Sequence, residues 1–266
     1  MTALGSWFIS ALEELGGVTR FFILILRTAF RTRGNLSRTC EQIVSVTLRS
    51  LPTVMFAGLF VGAILVLQYN LVLERYDAQS LLGGLNTSSV LREIGPLIIS
   101  FLLAGKIGAY TAAELGTMRV TEQIDAIECL GTNPIQYLIV PRFVGIVISS
   151  VLLLILGLMV SIGGSMWVAQ TLCGINMLQY ATSIPQFTDG TTIAGGMFKS
   201  LCYGTIVGLV SCYKGYTATG GARGVGRAVT MAAVLTNFYI IIANFFSSMA
   251  IDIATETIRL IGEKFR

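Results

Sequence analysis

The feature that most constrains this chain is a run of 28 residues, 143–170, that contains no charged side chain. About 20 apolar residues in an α-helix cross a bilayer. Lipid offers no hydrogen bonds, so spanning segments are helices or closed barrels, and barrel strands alternate polar with apolar residues. Only 12% of the 266 residues are charged, about half the share in soluble domains. We therefore predict an all-α polytopic membrane protein, with residues 1–266 forming one membrane domain.

The apolar runs predict five transmembrane helices. We place them at residues 51–73, 91–116, 143–170, 193–213 and 228–251. Pro52 suits the first turn of its span, and Gly58 and Gly62 form a G-x-x-x-G pattern that permits close helix packing. Residues 4–30 mix aromatic, aliphatic and charged side chains, which favours a helix lying in the membrane interface.

Lysine and arginine residues predict the orientation of the spans. With a cytoplasmic N-terminus, eleven of the eighteen bases fall in inside segments and four in outside segments. Because cytoplasmic loops carry the excess of positive charge, we expect the N-terminus inside and the C-terminus outside. This orientation puts residues 117–131 and the glycine-rich loop 214–227 in the cytoplasm.

A short amphipathic helix is predicted between the second and third spans, at residues 117–131. Val120, Ile124, Ile127 and Leu130 recur at helical spacing, and most of the acidic side chains fall off that stripe. An acidic helix is repelled by the anionic cytoplasmic leaflet. Spacing leaves two interpretations open, a helix that binds a protein partner and a loop helix packed against the end of the bundle.

The second predicted span is unusual because it carries charged side chains. Placing a charge within the bilayer costs free energy, so such residues normally face a cavity or a partner. Arg92 and Glu93 lie near its outer boundary and Lys106 lies deeper. Arg92 has the chemistry to meet a phosphate, and Glu93 to hold a cation or another helix. Lys106 requires an acidic partner, for which Glu114 is one candidate. Snorkelling to the interface is the alternative for Arg92 and Glu93.

Catalytic and metal-binding patterns are missing from the sequence. It has no histidine, no Walker A motif, no G-x-S-x-G elbow and no C-x-x-C pair, so neither a histidine triad nor a zinc site is indicated. The residues alone predict a transporter, a channel or a membrane subunit rather than an enzyme.

Residues 91–142 carry a family resemblance. The segment "LREIGPLIISFLLAGKIGAYTAAELGTMRVTEQIDAIECLGTNPIQYLIVPR" resembles the signature region of the MlaE (YrbE) family of ABC-transporter permeases, which act with MCE-domain proteins in lipid transport. One departure is Lys106, where relatives usually carry arginine; lysine keeps the charge and loses the bidentate fork.

The resemblance implies an ATP-driven lipid permease of the bacterial inner membrane. It implies a homodimer, cytosolic ATPase subunits that carry ATP and magnesium, a periplasmic MCE-domain protein and no cofactor on this chain. Residues 117–131 would be the coupling helix, with contacts to the ATPase from Arg119, Glu122, Gln123, Asp125 and Glu128. The matching lipid contacts would be Leu73, Tyr76, Arg92 and Glu93. The alternatives are a secondary transporter or channel acting alone, and a scaffold that anchors periplasmic proteins.

Overall fold

Helices form every regular element in residues 3–31 and 36–264, the parts of the chain described by a computed structural model. The α-helices are α1 (Ala3–Arg31), α2 (Leu36–Glu74), α3 (Leu82–Ser89), α4 (Gly95–Leu103), α5 (Ala109–Val120), α6 (Gln123–Cys129), α7 (Val140–Leu172), α8 (Met177–Phe187), α9 (Gly190–Tyr216) and α10 (Gly221–Lys264). A 3₁₀ turn, Gln79–Leu81, precedes α3, and π-helical turns occupy Val90–Ile94, Ala104–Gly108 and Ile135–Ile139. The predicted all-helical class is confirmed for these residues. Arg33 and Arg266, two of the bases used to predict orientation, lie outside them.

Four helical stretches of the described chain are long and apolar enough to cross a membrane. They are Leu36–Glu74, Ile135–Leu172, Gly190–Tyr216 and Gly221–Thr257. The predicted span 91–116 is helical, but it alternates between π and α geometry, and its longest α-helix, α5, has 12 residues. The count of five spans therefore stays a prediction.

The first span differs from its predicted boundary at Pro52. We expected the helix to begin there, yet α2 starts at Leu36 and carries Pro52 in its interior. Proline removes one N–H from the helical hydrogen-bond ladder. Transmembrane helices tolerate this loss where neighbouring helices and hydroxyl side chains satisfy the freed groups. The proline therefore does not mark the start of the helix.

The N-terminal helix α1 covers the predicted interfacial segment 4–30. Val18, Phe21 and Ile25 on one side of α1 are buried, whereas Leu12 and Leu15 are exposed. A helix of this kind has two apolar surfaces, one packed on protein and one open. Its location at a membrane interface stays a prediction.

The chain divides into two compact units, each built from three stretches of sequence. The first comprises the described residues of Met1–Val46 together with Ala104–Val147 and Thr205–Asn237. Its core joins α1, α5, α6, α7, α9 and the π turn Ile135–Ile139. The fully buried side chains in this cluster include Ile25, Leu115, Ile124, Ile139 and Cys212.

The second unit comprises Thr47–Leu103, Ile148–Gly204 and the described residues of Phe238–Arg266. Its helices α2 and α7 approach closely at the predicted G-x-x-x-G pattern. A Cβ atom placed on Gly58 would lie 2.6 Å from the Gly157 carbonyl oxygen, and one on Gly62 would lie 2.3 Å from that of Ser161. Small residues let two helix backbones approach in this way.

A buried polar contact joins α3, α7 and α8 in the second unit. The Asn86 amide donates to the Ser165 hydroxyl at 3.0 Å and to the Tyr180 hydroxyl at 2.8 Å. The Gly84 N–H donates to Ser183 Oγ at 3.0 Å. Asn176 caps the start of α8, because its side chain accepts from the Leu178 N–H. Polar side chains in and before α8 therefore serve capping and interhelical hydrogen bonding.

We predict that Gly62→Ala destabilises the protein by about 1–3 kcal/mol, because the new methyl group would overlap a backbone oxygen that cannot rotate away. The matched control is Gly163→Ala on α7, where an added Cβ meets nothing within 4 Å. Thermal unfolding of both variants in the same detergent checks the prediction. Equal melting temperatures for the two variants would contradict the proposed close approach.

Candidate functional site

Arg92 and Glu93 lie in the π turn Val90–Ile94, where the Gly95 N–H donates to the Val90 carbonyl. Pro96 follows, and it has no N–H to offer the carbonyl of Arg92, four residues earlier. The ammonium group of Lys199 on α9 replaces that donor, with its Nζ 2.9 Å from the Arg92 carbonyl oxygen. A side chain from another helix thus completes the backbone hydrogen bonding of this turn.

Lys199 makes three polar contacts although its side chain is only 2% exposed. Its ammonium group forms an ion pair with the Glu93 carboxylate and donates to Ser248 Oγ on α10 at 2.7 Å. The Ser248 hydroxyl in turn lies 3.0 Å from Glu93 Oε2. An ammonium group has three N–H donors, and Glu93, Ser248 and the Arg92 carbonyl account for all of them. The buried charge is therefore fully satisfied.

Arg92 makes a second ion pair of a different character. Its guanidinium contacts the Asp252 carboxylate on α10, and the two side chains are 46% and 60% exposed. Exposed ion pairs contribute little stability, since water competes for both partners. The Arg92 guanidinium therefore stays accessible to solvent and to other polar groups beside Asp252. The Lys199–Glu93 pair differs because Lys199 is buried, so removing Glu93 would leave an uncompensated charge in a poorly solvated site.

A cavity of about 860 Å³ opens beside these ion pairs in the second unit. Its volume falls in the range of small-molecule sites. The charged side chains that line it are Arg92, Glu93, Asp189, Lys199, Asp252 and Glu256. Thr191, Thr192 and Ser248 add hydroxyl groups. The arrangement can hold a polar or ionic group against Arg92 while hydroxyl groups supply neutral hydrogen bonds.

Leu73 and Tyr76, the other two predicted lipid contacts, do not line this cavity. Leu73 is buried in a core cluster with Val66 and Leu82, whereas Tyr76 is 76% exposed. The structure brings Arg92 and Glu93 together and sets Leu73 and Tyr76 apart from them. Lipid contact by these four residues stays a prediction.

Sequence reasoning passed over Lys199, Ser248 and Asp252. Lys199 lies within the fourth predicted span, 193–213. One signal for it was available, because a lysine among apolar residues requires an acidic partner. Nothing in the spacing of Ser248 or Asp252 identifies them as partners of Glu93 and Arg92.

The predicted helix 117–131 is shorter in the structure. Residues 117–120 complete α5, Thr121 and Glu122 form a turn, and α6 covers only Gln123–Cys129. Glu122 lies in the left-handed region with φ +59°, and Gly131 ends the segment with φ +75°. The periodicity continues through the turn, so the apolar stripe could not show where the helix axis changes.

The two faces of α6 meet different surroundings. Ile124 is fully buried in the core of the first unit, and Ile127 packs against that core. Glu122, Gln123, Asp125 and Glu128 are exposed. Ile124 and Ile127 of the apolar stripe are thus used within the chain, as in the loop-helix interpretation, whereas Leu130 is 83% exposed and the acidic face is open to a partner.

Two ion pairs in the first unit involve predicted residues. The Arg119 guanidinium contacts the Asp125 carboxylate, which links α5 to α6. Glu114, a candidate partner for Lys106, lies 2.9 Å from Nη2 of the largely buried Arg142. Arg142 also donates to the Leu138 carbonyl at 3.3 Å. Glu114 therefore neutralises a base in α7.

Residues 39–250 match the family model described as Permease MlaE. The chain belongs to the MlaE permease family. Over 243 residues, it is 34% identical to a probable ABC transporter permease protein of Rickettsia conorii, and the match covers 91% of this chain and 94% of that protein. A probable ABC transporter permease protein of Synechocystis is 35% identical, with 92% of each chain covered. The resemblance stated from residues 91–142 is confirmed.

A third MlaE relative is the chloroplastic protein named trigalactosyldiacylglycerol 1 of Arabidopsis thaliana. It is 33% identical over 210 residues, which cover 79% of this chain and 60% of that protein. Family membership and the long apolar helices together make this chain an ABC-transporter permease and a multi-pass membrane protein.

We predict that Lys199→Met lowers stability by about 2–3 kcal/mol, less than the 3–5 kcal/mol typical of a fully buried pair, because Glu93 is partly exposed. The double variant Lys199→Met with Glu93→Gln should recover part of the loss, since no carboxylate is then left without its cation. Thermal unfolding of the single and double variants in detergent provides the measurement. A double variant less stable than Lys199→Met would contradict this account of the pair.

We predict that Glu122→Gly preserves or raises stability by up to about 1 kcal/mol, because glycine adopts the left-handed region without steric strain. Glu122→Val, with a β-branched side chain at the same φ, should destabilise the protein by about 1–2 kcal/mol. Comparing the melting temperatures of these two variants tests the backbone assignment. If valine were tolerated better than glycine, the turn at Glu122 would not be left-handed.

Proposed function

We propose that this MlaE permease moves phospholipid or a related lipid between the bacterial inner membrane and a periplasmic MCE-domain protein, driven by ATP hydrolysis on separate subunits. The observation that carries the proposal is the open, charged cavity beside Arg92. A phosphate-bearing headgroup would displace Asp252 from the Arg92 guanidinium, an exchange that the exposure of that ion pair permits. Arginine suits this role because its planar fork matches phosphate oxygens.

The lipid assignment also draws on a relative. The Arabidopsis protein carries in its name trigalactosyldiacylglycerol, a lipid with a sugar headgroup. Sugar hydroxyl groups pair with carboxylates and threonine hydroxyl groups, and the cavity offers both through Asp189, Glu256, Thr191 and Thr192. We propose that Tyr76 contacts lipid together with Arg92 and Glu93, and that Leu73 supports this contact indirectly, through the core that it packs into.

The assembly we propose contains two copies of this chain, two cytosolic ATPase subunits and an MCE-domain protein on the outer side. An ABC-transporter permease works with ATPase subunits, which would hold ATP and magnesium. The exposed acidic face of α6 supports an ATPase contact, with Glu122, Gln123 and Glu128 as the outward groups. The MCE partner, the homodimer and the orientation with N-terminus inside and C-terminus outside are carried over from the family resemblance and the distribution of bases.

We predict that Glu122→Lys combined with Glu128→Lys abolishes copurification of the ATPase subunits and ATP-driven lipid transfer in proteoliposomes. Reversing two exposed charges should repel a basic partner without disturbing the buried Ile124. The matched control reverses two exposed acids elsewhere, Glu13→Lys with Glu41→Lys, and should retain both properties.

Two outcomes would sink the proposal. In one, the double α6 variant retains ATPase binding and lipid transfer at the level of the unmodified protein. In the other, the chain alone, reconstituted without ATPase subunits, transports solute or lipid under an ion gradient, as a stand-alone secondary transporter or channel would.

A further inference from the structure

Helix α6 is so short that its stability and orientation depend on contacts with the rest of the protein. It has seven residues, and isolated helices below about 12–15 residues are marginal in water. Within α6, only Ile124 is fully buried. The direction of its acidic face therefore depends on the groups around Ile124 and on the Arg119–Asp125 ion pair.

The core that receives Ile124 includes side chains from the N-terminal helix. Phe21 and Ile25 of α1 belong to the same buried cluster, together with Leu115 of α5 and Cys212 of α9. Helix α1 also packs against the π turn Ile135–Ile139 that precedes α7. The core against which α6 packs thus includes side chains of α1, which ends more than 90 residues before α6 begins.

A chain of contacts links α1 to the charged side of α6. The Phe21 ring lies 5.7 Å from the Tyr216 ring at the end of α9. The Arg119 guanidinium lies over Tyr216, 5.8 Å from the ring centroid, and pairs with Asp125. An arginine within about 6 Å of an aromatic face is attracted by the ring. Arg119 therefore contacts the Tyr216 ring on one side and forms its ion pair with Asp125 on the other.

Helix α1 is itself fixed against α9. Glu14 forms an ion pair with Lys214, and both side chains are largely buried. A Cβ atom on Gly17 would lie 2.2 Å from the Tyr213 hydroxyl oxygen, so the Tyr213 side chain of α9 reaches the α1 backbone at that glycine. The Phe21 and Tyr213 rings meet edge to face at 5.6 Å. These contacts make α1 part of the rigid core of the first unit.

We propose that α1 braces α6, acting through Phe21, Tyr216 and Arg119, so that the N-terminal helix sets the orientation of the acidic docking face. The effect of this brace on ATPase binding rests on the proposed function. Arg119 and Asp125 are then positioning residues that face each other. The groups left for the ATPase are Glu122, Gln123 and Glu128.

The test uses Cys129, an exposed cysteine at the end of α6. Cys40, Cys173 and Cys202 are replaced by alanine, Cys212 is kept because it is buried in the core under test, and Cys129 is spin-labelled, with the full chain in lipid nanodiscs and no ATPase present. Tyr216→Leu should increase the mobile fraction of the label, and Tyr216→Phe, which keeps the ring, should restore the unmodified spectrum. Added ATPase subunits should bind Tyr216→Leu about three- to fivefold more weakly, the scale of one lost cation–π contact.

An unchanged Cys129 spectrum in folded Tyr216→Leu overturns the brace. If that variant does not fold, Arg119→Gln and Asp125→Asn decide, because both change partly exposed side chains. The brace stands only if label mobility increases in these two variants and also in Phe21→Leu, which removes the α1 ring that meets Tyr216. Unchanged mobility in any of the three overturns it. If the label responds as expected but ATPase subunits fail to bind the unmodified chain, the brace stands and the proposed function fails.

Discussion

A buried ammonium group requires three acceptors, and Lys199 meets that requirement by drawing three parts of the second unit together. Its partners come from the π turn Val90–Ile94 and from α10, while Lys199 itself lies on α9. Pro96 explains why one acceptor is a backbone carbonyl, since proline leaves that carbonyl without its helical donor. The proline, the π turn and the lysine are therefore parts of one arrangement. Its result is that Arg92 and Glu93 are held at the edge of the cavity.

The two ion pairs beside the cavity differ in how readily they can be exchanged. Lys199 is almost fully buried, so separating it from Glu93 would leave a charge in a poorly solvated site. Arg92 and Asp252 are both about half exposed, so water already screens their attraction. The buried pair holds the geometry fixed, and the exposed pair leaves the Arg92 guanidinium open to solvent.

Much of the fold follows from the sequence because apolar length and helical periodicity are local properties. The apolar runs at 51–73, 143–170, 193–213 and 228–251 each lie within a long helix. The ends of helices were harder to predict from the sequence. Helix α2 continues through Pro52, and the turn at Glu122 interrupts a helix whose apolar spacing is continuous. At the site, Arg92 and Glu93 were conspicuous as charges in an apolar segment. Their partners come from α9 and α10, more than 100 residues away, and spacing carries no information on such pairings.

The α6 segment shows why an amphipathic pattern alone leaves its function open. An apolar stripe with an acidic face is equally suited to a helix that inserts into a partner's groove and to one that packs on its own protein. The burial of Ile124 and the packing of Ile127 narrow the choice, because side chains already used in the core cannot also fill a groove. The acidic face and Leu130 are the parts of the segment that remain open. Left-handed Glu122 turns the chain so that α6 starts in a new direction, with its acids outward. Strained backbone of this kind persists where surrounding contacts over-determine it. In this unit those contacts are the Ile124 core and the Arg119–Asp125 pair, so the same interactions that hold the turn also aim the acidic face.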